Sequence, residues 1–322
     1  MFASSLLFAV AASAGVPAQG TPRPMAVPER LARRIGNPEP SGIAWSSALR
    51  RYLIVSDDAG RDDERHLPCL LAMDGEGRLD DQPVPIEGIE KINDLEAICM
   101  GEEQTYFVCT SHSISKSGKR SRWRKMLLHL KHDGRAYRVA GSLDLTTVRS
   151  ANGGEVLSVP GIPPGDVLDI EGIAHHGGFL YIGLKSPLAV DGAARIYRLF
   201  DPEAACAAGR AAPGTFTLWA TVRLAVQVGR GEAAQGISDL AFLSDGSLIL
   251  CGNSPKGAPR DGGGAVWYAA DPPASLAHPV LLARFPGLKP EGVCPDSGGR
   301  HLIVVFDRDQ APPMWTTIRM PP

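Results

Sequence analysis

One short pattern recurs along this chain and limits what it can become. An apolar run is entered through a polar residue, passes a turn rich in Gly, Ser or Asp, and returns as a second apolar run. The clearest copy is Asp169-Ile170-Glu171-Gly172-Ile173-Ala174, then His175-His176-Gly177-Gly178, then Phe179-Leu180-Tyr181-Ile182-Gly183. Others begin at Asp94-Leu95-Glu96-Ala97-Ile98, Ser238-Asp239-Leu240-Ala241 and Pro290-Glu291-Gly292-Val293, with a weaker copy at Ser41-Gly42-Ile43-Ala44. These make about five copies, roughly 50 to 75 residues apart, so one unit is being repeated around a common core.

Each copy reads as a β-hairpin, two short runs around a turn. The runs are almost wholly apolar instead of alternating, as expected of strands covered on both faces. Inner strands of a propeller lie between two neighbouring blades and meet that condition. The expected fold is therefore an all-β propeller over residues 41–322, a single domain with five blades, or six as the alternative. After the fifth hairpin only Trp315 to Met320 remains as strand, so one blade is short. A closed ring must eliminate open edges, and residues 19–40 are expected to supply a linker and a closing strand that pairs with the C-terminal strands. Within that stretch Met25 to Ile35 is the expected strand.

Composition fits this architecture. The 322 residues include 36 Gly and 27 Pro, which suit many short strands and tight turns. Lys plus Arg (33) nearly balances Asp plus Glu (35), so no global charge drives the chain toward nucleic acid or anionic membrane. Residues 1–18 read as a secretory signal, with an apolar run from Leu6 to Ala14 and an Ala12-Ser13-Ala14 cleavage site. The run is too short to span a bilayer. A periplasmic or secreted bacterial monomer is the expectation. The six cysteines show no zinc spacing. They read as buried free thiols, although Cys99 and Cys109, on one hairpin, could form a disulfide after export.

Three intervening segments carry readings of their own. Lys116 to Lys125 is a dense basic run around Trp123. It suits either contact with a small polyanionic ligand, the Trp offering a stacking face, or a solvated loop. Thr146 to Asp166 reads as a surface insertion that could cover one face. Asp201 to Arg210 reads as a short helical excursion.

Two columns of residues should converge at one end of the channel. Strand starts contribute Ser41, Glu96, Glu171, Asp239 and Glu291. Strand ends contribute Asp57, His112, Lys185, Asn253 and Asp307, to within a residue. Asp94 and Asp169 fall two residues before a glutamate, on the same side of their strands. Charges at 4 Å repel by roughly 4 kcal/mol at an effective dielectric near 20. Such a ring needs a hard divalent cation such as Ca²⁺, raised pKa values that create an acid or base, or structural pairing with backbone N–H groups and lysines. No nucleophile elbow, zincin helix or phosphate loop is present.

The D-[IL]-E-[GA]-I units, with Gly183-Leu184-Lys185-Ser186 and Lys289-Pro290-Glu291-Gly292-Val293, resemble a bacterial family catalogued as domain of unknown function 3616. The resemblance covers most of the chain after Pro40 and implies a propeller without an assigned activity. More distantly the pattern looks like phytase-like esterase and calcium-dependent lactonase propellers. The latter likeness implies a metal held at strand starts, at Glu96, Glu171, Asp239 and Glu291 here, although the Asn of that pattern is missing.

The sequence thus suggests a metal-assisted hydrolase of an ester, lactone or phosphoester, with Glu96, Glu171, Asp239 and Glu291 as ligands. Lys185 or His112 would stabilise a developing oxyanion. The alternative is a non-catalytic propeller binding a ligand or protein through the face that carries Lys116 to Lys125.

Overall fold

Inner-strand burial accounts for the architecture. In the computed structural model, which describes residues 19–57, 59, 66–157, 168–255, 262–308 and 311–320, Cys69–Met73, Tyr106–Thr110 and Leu248–Asn253 are buried at every position. Outer strands such as Tyr137–Leu143 alternate instead. An uninterrupted apolar run therefore marks a strand covered on both sides, and alternation marks the rim.

Antiparallel sheets build the blades. The first blade comprises Pro40–Ser46, Arg51–Ser56, Cys69–Met73 and Val84–Glu87, and the second Leu95–Met100, Tyr106–Thr110, Leu127–His132 and Tyr137–Leu143. A short parallel contact between Ile86 and Tyr137 joins their outer strands into one eight-stranded sheet. The third blade comprises Asp169–His176, Phe179–Ser186, Ala194–Phe200 and Phe216–Val222. The fourth comprises Gly231–Phe242, Leu248–Asn253, Gly264–Ala269 and Val280–Phe285. Its long first strand also pairs with Leu224–Val228, forming an additional hairpin that the sequence reading did not anticipate. The fifth comprises Lys289–Pro295, His301–Asp307 and Met314–Arg319.

The first strand of each unit contacts that of the next, and the fifth returns to the first. Closure comes from the N-terminal segment, as expected. Arg23 pairs with Trp315, Pro24 with Met314, and Gln19 bridges Ile318. The closing strand is Arg23–Pro24, however, and not Met25 to Ile35. Glu29–Ile35 is helix α1, following Pro28 and burying Leu31 and Ile35 against the first and fifth blades. Its Glu-Arg-Leu-Ala-Arg-Arg-Ile sequence favours helix, and the Leu–Ile spacing of four puts both on one face.

The excursion after the third blade's third strand is helix α2, Pro202–Ala208. The Asp201 carboxylate caps it by accepting from Ala204 N, and Gly209 ends it in the left-handed region. The 146–166 insertion carries a bridge between Arg149 and Glu155. Its residues 158–166, like the expected secretory segment 1–18, lie outside the described residues. All six cysteines are free thiols. Among the described residues no helix is long and apolar enough to cross a membrane.

Candidate functional site

Every inner hairpin breaks register at the same place. Pairing jumps from Pro40↔Ser56 to Gly42↔Val55, from Leu95↔Thr110 to Ala97↔Cys109, and from Ile170↔Leu184 to Gly172↔Gly183. The fourth hairpin jumps from Ile237↔Gly252 to Asp239↔Cys251, and the fifth from Pro290↔Phe306 to Gly292↔Val305. A bulge leaves one residue without a cross-strand partner and re-aims its side chain. Those residues are Ser41, Glu96, Glu171, Ser238 and Glu291. On the second strands, one residue beyond the partner of the residue before each bulge, stand Asp57, Ser111, Lys185, Asn253 and Asp307.

This register corrects two expected site residues. Asp239 is not in the glutamate position; Ser238 is, and its hydroxyl donates to Pro290 O at 2.6 Å. Asp239 takes the place held elsewhere by Gly or Ala, where inner strands approach closely. A Cβ at Gly172 would come within 2.9 Å of Asp239 Cα, and one at Gly292 within 3.0 Å of Gly42 Cα. The Asp239 carboxylate accepts from Leu240 N and, across the blade boundary, from Val293 N, each at 2.8 Å. It is a clamp between blades. Burial pushes its pKa well up, against those two N–H donors.

His112 is likewise displaced by one residue, Ser111 occupying the facing position. His112 is fully buried. Its Nδ1 donates to Thr110 O at 2.8 Å, and its Nε2 accepts from Leu145 N at 3.3 Å. Both nitrogens are engaged in the neutral ring, so His112 offers no donor to a ligand. Burial lowers its pKa to about 4.

Two of the expected glutamates meet at Lys185. Lys185 Nζ donates to Glu171 Oε1 at 2.6 Å and lies 3.9 Å from Glu291 Oε1. Asn253 Nδ2 donates to Glu291 Oε2 at 2.9 Å. Lys289 pairs with Asp307 at 2.5 Å. Burial pulls Lys185 toward neutrality, but the carboxylates of Glu171, Glu291 and Asp169 outweigh it and hold its pKa well above the lysine range. One oxygen, Glu171 Oε2, is buried without a hydrogen-bond partner among the described residues.

A second acidic group lies at the first and second blades. Carboxylate oxygens of Asp57, Asp94 and Glu96 lie within 4.8 Å of one another. Oxygen ligands about 2.4 Å from a common Ca²⁺ would have such separations. Asp94 adopts φ 62, and its Oδ2 accepts from Ser111, Ser113 and Arg124. Glu96 has no cationic partner among the described residues. Burial, then Asp57, Asp94, Glu171 and Asp169, raise its pKa well above the carboxylate range. The sequence reading did not place Arg124 at this group; it belongs to the basic run read as a polyanion contact or a solvated loop.

Its strand order and closed ring define a β-propeller with a charged mouth. Solved structures similar to this chain include a gluconolactonase from Xanthomonas campestris, at 12% identity over 95% of this chain and 97% of that one, with a TM-score of 0.45. A glucose dehydrogenase aligns at 11% identity over 93% and 99%, with a TM-score of 0.47. The PQQ domain of a pyranose dehydrogenase from Coprinopsis cinerea aligns at 12% over 88% and 94%, with a TM-score of 0.43. No protein-family model and no curated protein matches the chain.

Proposed function

We propose that the mouth binds a divalent cation, Ca²⁺ by its all-oxygen ligands, and that the protein is a metal-assisted hydrolase of an ester, lactone or phosphoester. The observation that carries this reading is the approach of Asp57, Asp94 and Glu96 to within 4.8 Å, with no cationic partner for Glu96 among the described residues. Glu96 is thus retained as a ligand from the sequence expectation. Glu171 and Glu291 instead share Lys185, and Asp239 is assigned to the fold. A bound cation would polarise a carbonyl or phosphoryl oxygen and lower the pKa of water. On the third blade, Lys185 would supply a fixed positive charge and Glu171 Oε2 a buried proton acceptor.

The test is hydrolysis of a neutral aryl ester, a lactone and an aryl phosphate, each with Ca²⁺ and with chelator. Turnover of at least one substrate, lost with chelator and in Glu96→Gln, is expected. No turnover in any condition would contradict it. A second reading, a non-catalytic scaffold for a small or polyanionic ligand, is favoured by the internal pairing of Arg124 with Asp94 and Lys185 with Glu171. It predicts no turnover and no cation binding.

Export completes the proposal: residues 1–18 would be removed and the remaining chain released to the periplasm or medium. N-terminal sequencing of protein recovered from a bacterial periplasm should begin beyond Ala14, whereas a chain retaining Met1 would contradict export.

A further inference from the structure

Arg124 pairs with one member of the Asp57, Asp94 and Glu96 group. Its Nη2 donates to Asp94 Oδ2, and its side chain is 12% exposed against 11% for the carboxylate. The same guanidinium reaches three further acceptors: Asn93 Oδ1 at 2.9 Å, Ser113 Oγ at 2.9 Å and Ser113 O at 3.3 Å. Arg124 therefore fastens both ends of segment 113–124 to the start of the second blade. Lys116, Lys119 and Arg122, within that segment, are exposed.

The carboxylates alone do not indicate a ligand. Glu171 adds an independent observation. It holds in the third blade the bulged position that Glu96 holds in the second, it is 6% exposed, and its Oε2 has no hydrogen-bond partner among the described residues. The two bulges lie on first strands that pack against each other. A buried acceptor without a donor calls for a cation, a proton or water.

We propose that Arg124 is the affinity-setting residue of this mouth: its guanidinium and a divalent cation compete for Asp94, and cation binding displaces Arg124 and releases segment 113–124. The inference rests on the cation reading. Two cations sharing one carboxylate repel at this burial, and a guanidinium held by four acceptors yields only to a stronger competitor.

Calorimetric titration of Ca²⁺ into the full protein and into Arg124→Gln tests it, with lysine-specific proteolysis alongside. Arg124→Gln should bind about tenfold tighter or more, as removal of a competing charge requires. Arg124→Lys, which keeps the charge, should gain little. In the unaltered protein, Ca²⁺ should accelerate cleavage after Lys116 or Lys119. Equal or weaker affinity in Arg124→Gln would overturn the inference while leaving the cation site standing. Tighter binding without altered cleavage would overturn displacement of the segment. Absence of Ca²⁺ binding in both folded proteins would remove the cation reading and the inference together. Should Arg124→Gln fail to fold, Asn93→Ala, which removes one tether, should bind Ca²⁺ tighter than the unaltered protein, and no gain there would also overturn it.

Discussion

His112 carries a pH dependence whose sign is fixed by its surroundings. Buried and neutral, it resists protonation until about pH 4, whereas the unfolded chain takes up that proton near 6.5. The unfolded state therefore binds more protons between these values. The stability His112 contributes is complete above pH 6.5 and is lost as pH falls toward 4, by about 3 kcal/mol. Denaturant unfolding at pH 7 and pH 4 should show that loss, and His112→Gln should lessen it; equal slopes in both proteins would contradict the burial argument. Glu96 works with the opposite sign. Its raised pKa means that the folded state keeps a proton the unfolded state releases, so stability falls as pH rises above the ordinary carboxylate value. Without calcium, Glu96→Gln should melt above the unaltered protein at pH 8, with the gap closing toward pH 5. A lower melting temperature at pH 8 would mean that Glu96 is paired after all.

At the scale of the hairpin, one bulge accounts for both the mouth and its exceptions. It turns Glu96, Glu171 and Glu291 inward and sets a small residue next to them where strands nearly touch. Asp239 occupies that small position and spends both carboxylate oxygens on backbone N–H groups. Asp239→Ala should cost about 2 to 4 kcal/mol by orphaning the Val293 and Leu240 donors, without altering the response to Ca²⁺. A changed Ca²⁺ response would return Asp239 to the mouth. The sequence allowed this distinction. Aligned on the apolar residue that follows, Glu171-Gly172-Ile173 and Glu291-Gly292-Val293 match Ser238-Asp239-Leu240, leaving serine in the glutamate column. Aligning on the nearest acid selects Asp239 instead, one residue after the bulge, which falls at Ser238 as it falls at the glutamates elsewhere. His112 likewise lies one residue beyond Ser111, which holds the facing position. Strand positions were legible because double-sided burial leaves an uninterrupted apolar run. Arg124 was not, since its role depends on a loop returning over the mouth, and no local period records that.

The whole molecule depends on closure by residues that precede the first repeat. Arg23 and Pro24 pair with the edge of Met314–Arg319, and the Arg23 guanidinium lies 4.2 Å from the Trp315 ring centroid. Met25, Leu31 and Ile35 then fill the junction of the first and fifth blades. A chain beginning at Gly36 should lose several kcal/mol, since each large core side chain removed costs about 2 kcal/mol or more. Its bare edge should also favour association, read by light scattering. A monomer melting at the unaltered temperature would show that closure contributes nothing.

Packing of the first blade against the second brings Asp57 beside Asp94 and Glu96, the group proposed to hold the ion. Melting temperature measured against free Ca²⁺ asks directly whether an ion binds there. At a hundredfold excess over its dissociation constant, binding to the folded state adds about 2.7 kcal/mol, a rise of a few degrees that continues with log concentration and disappears in Glu96→Gln. A melting temperature that stays flat to millimolar Ca²⁺, or that rises equally in Glu96→Gln, would contradict the account.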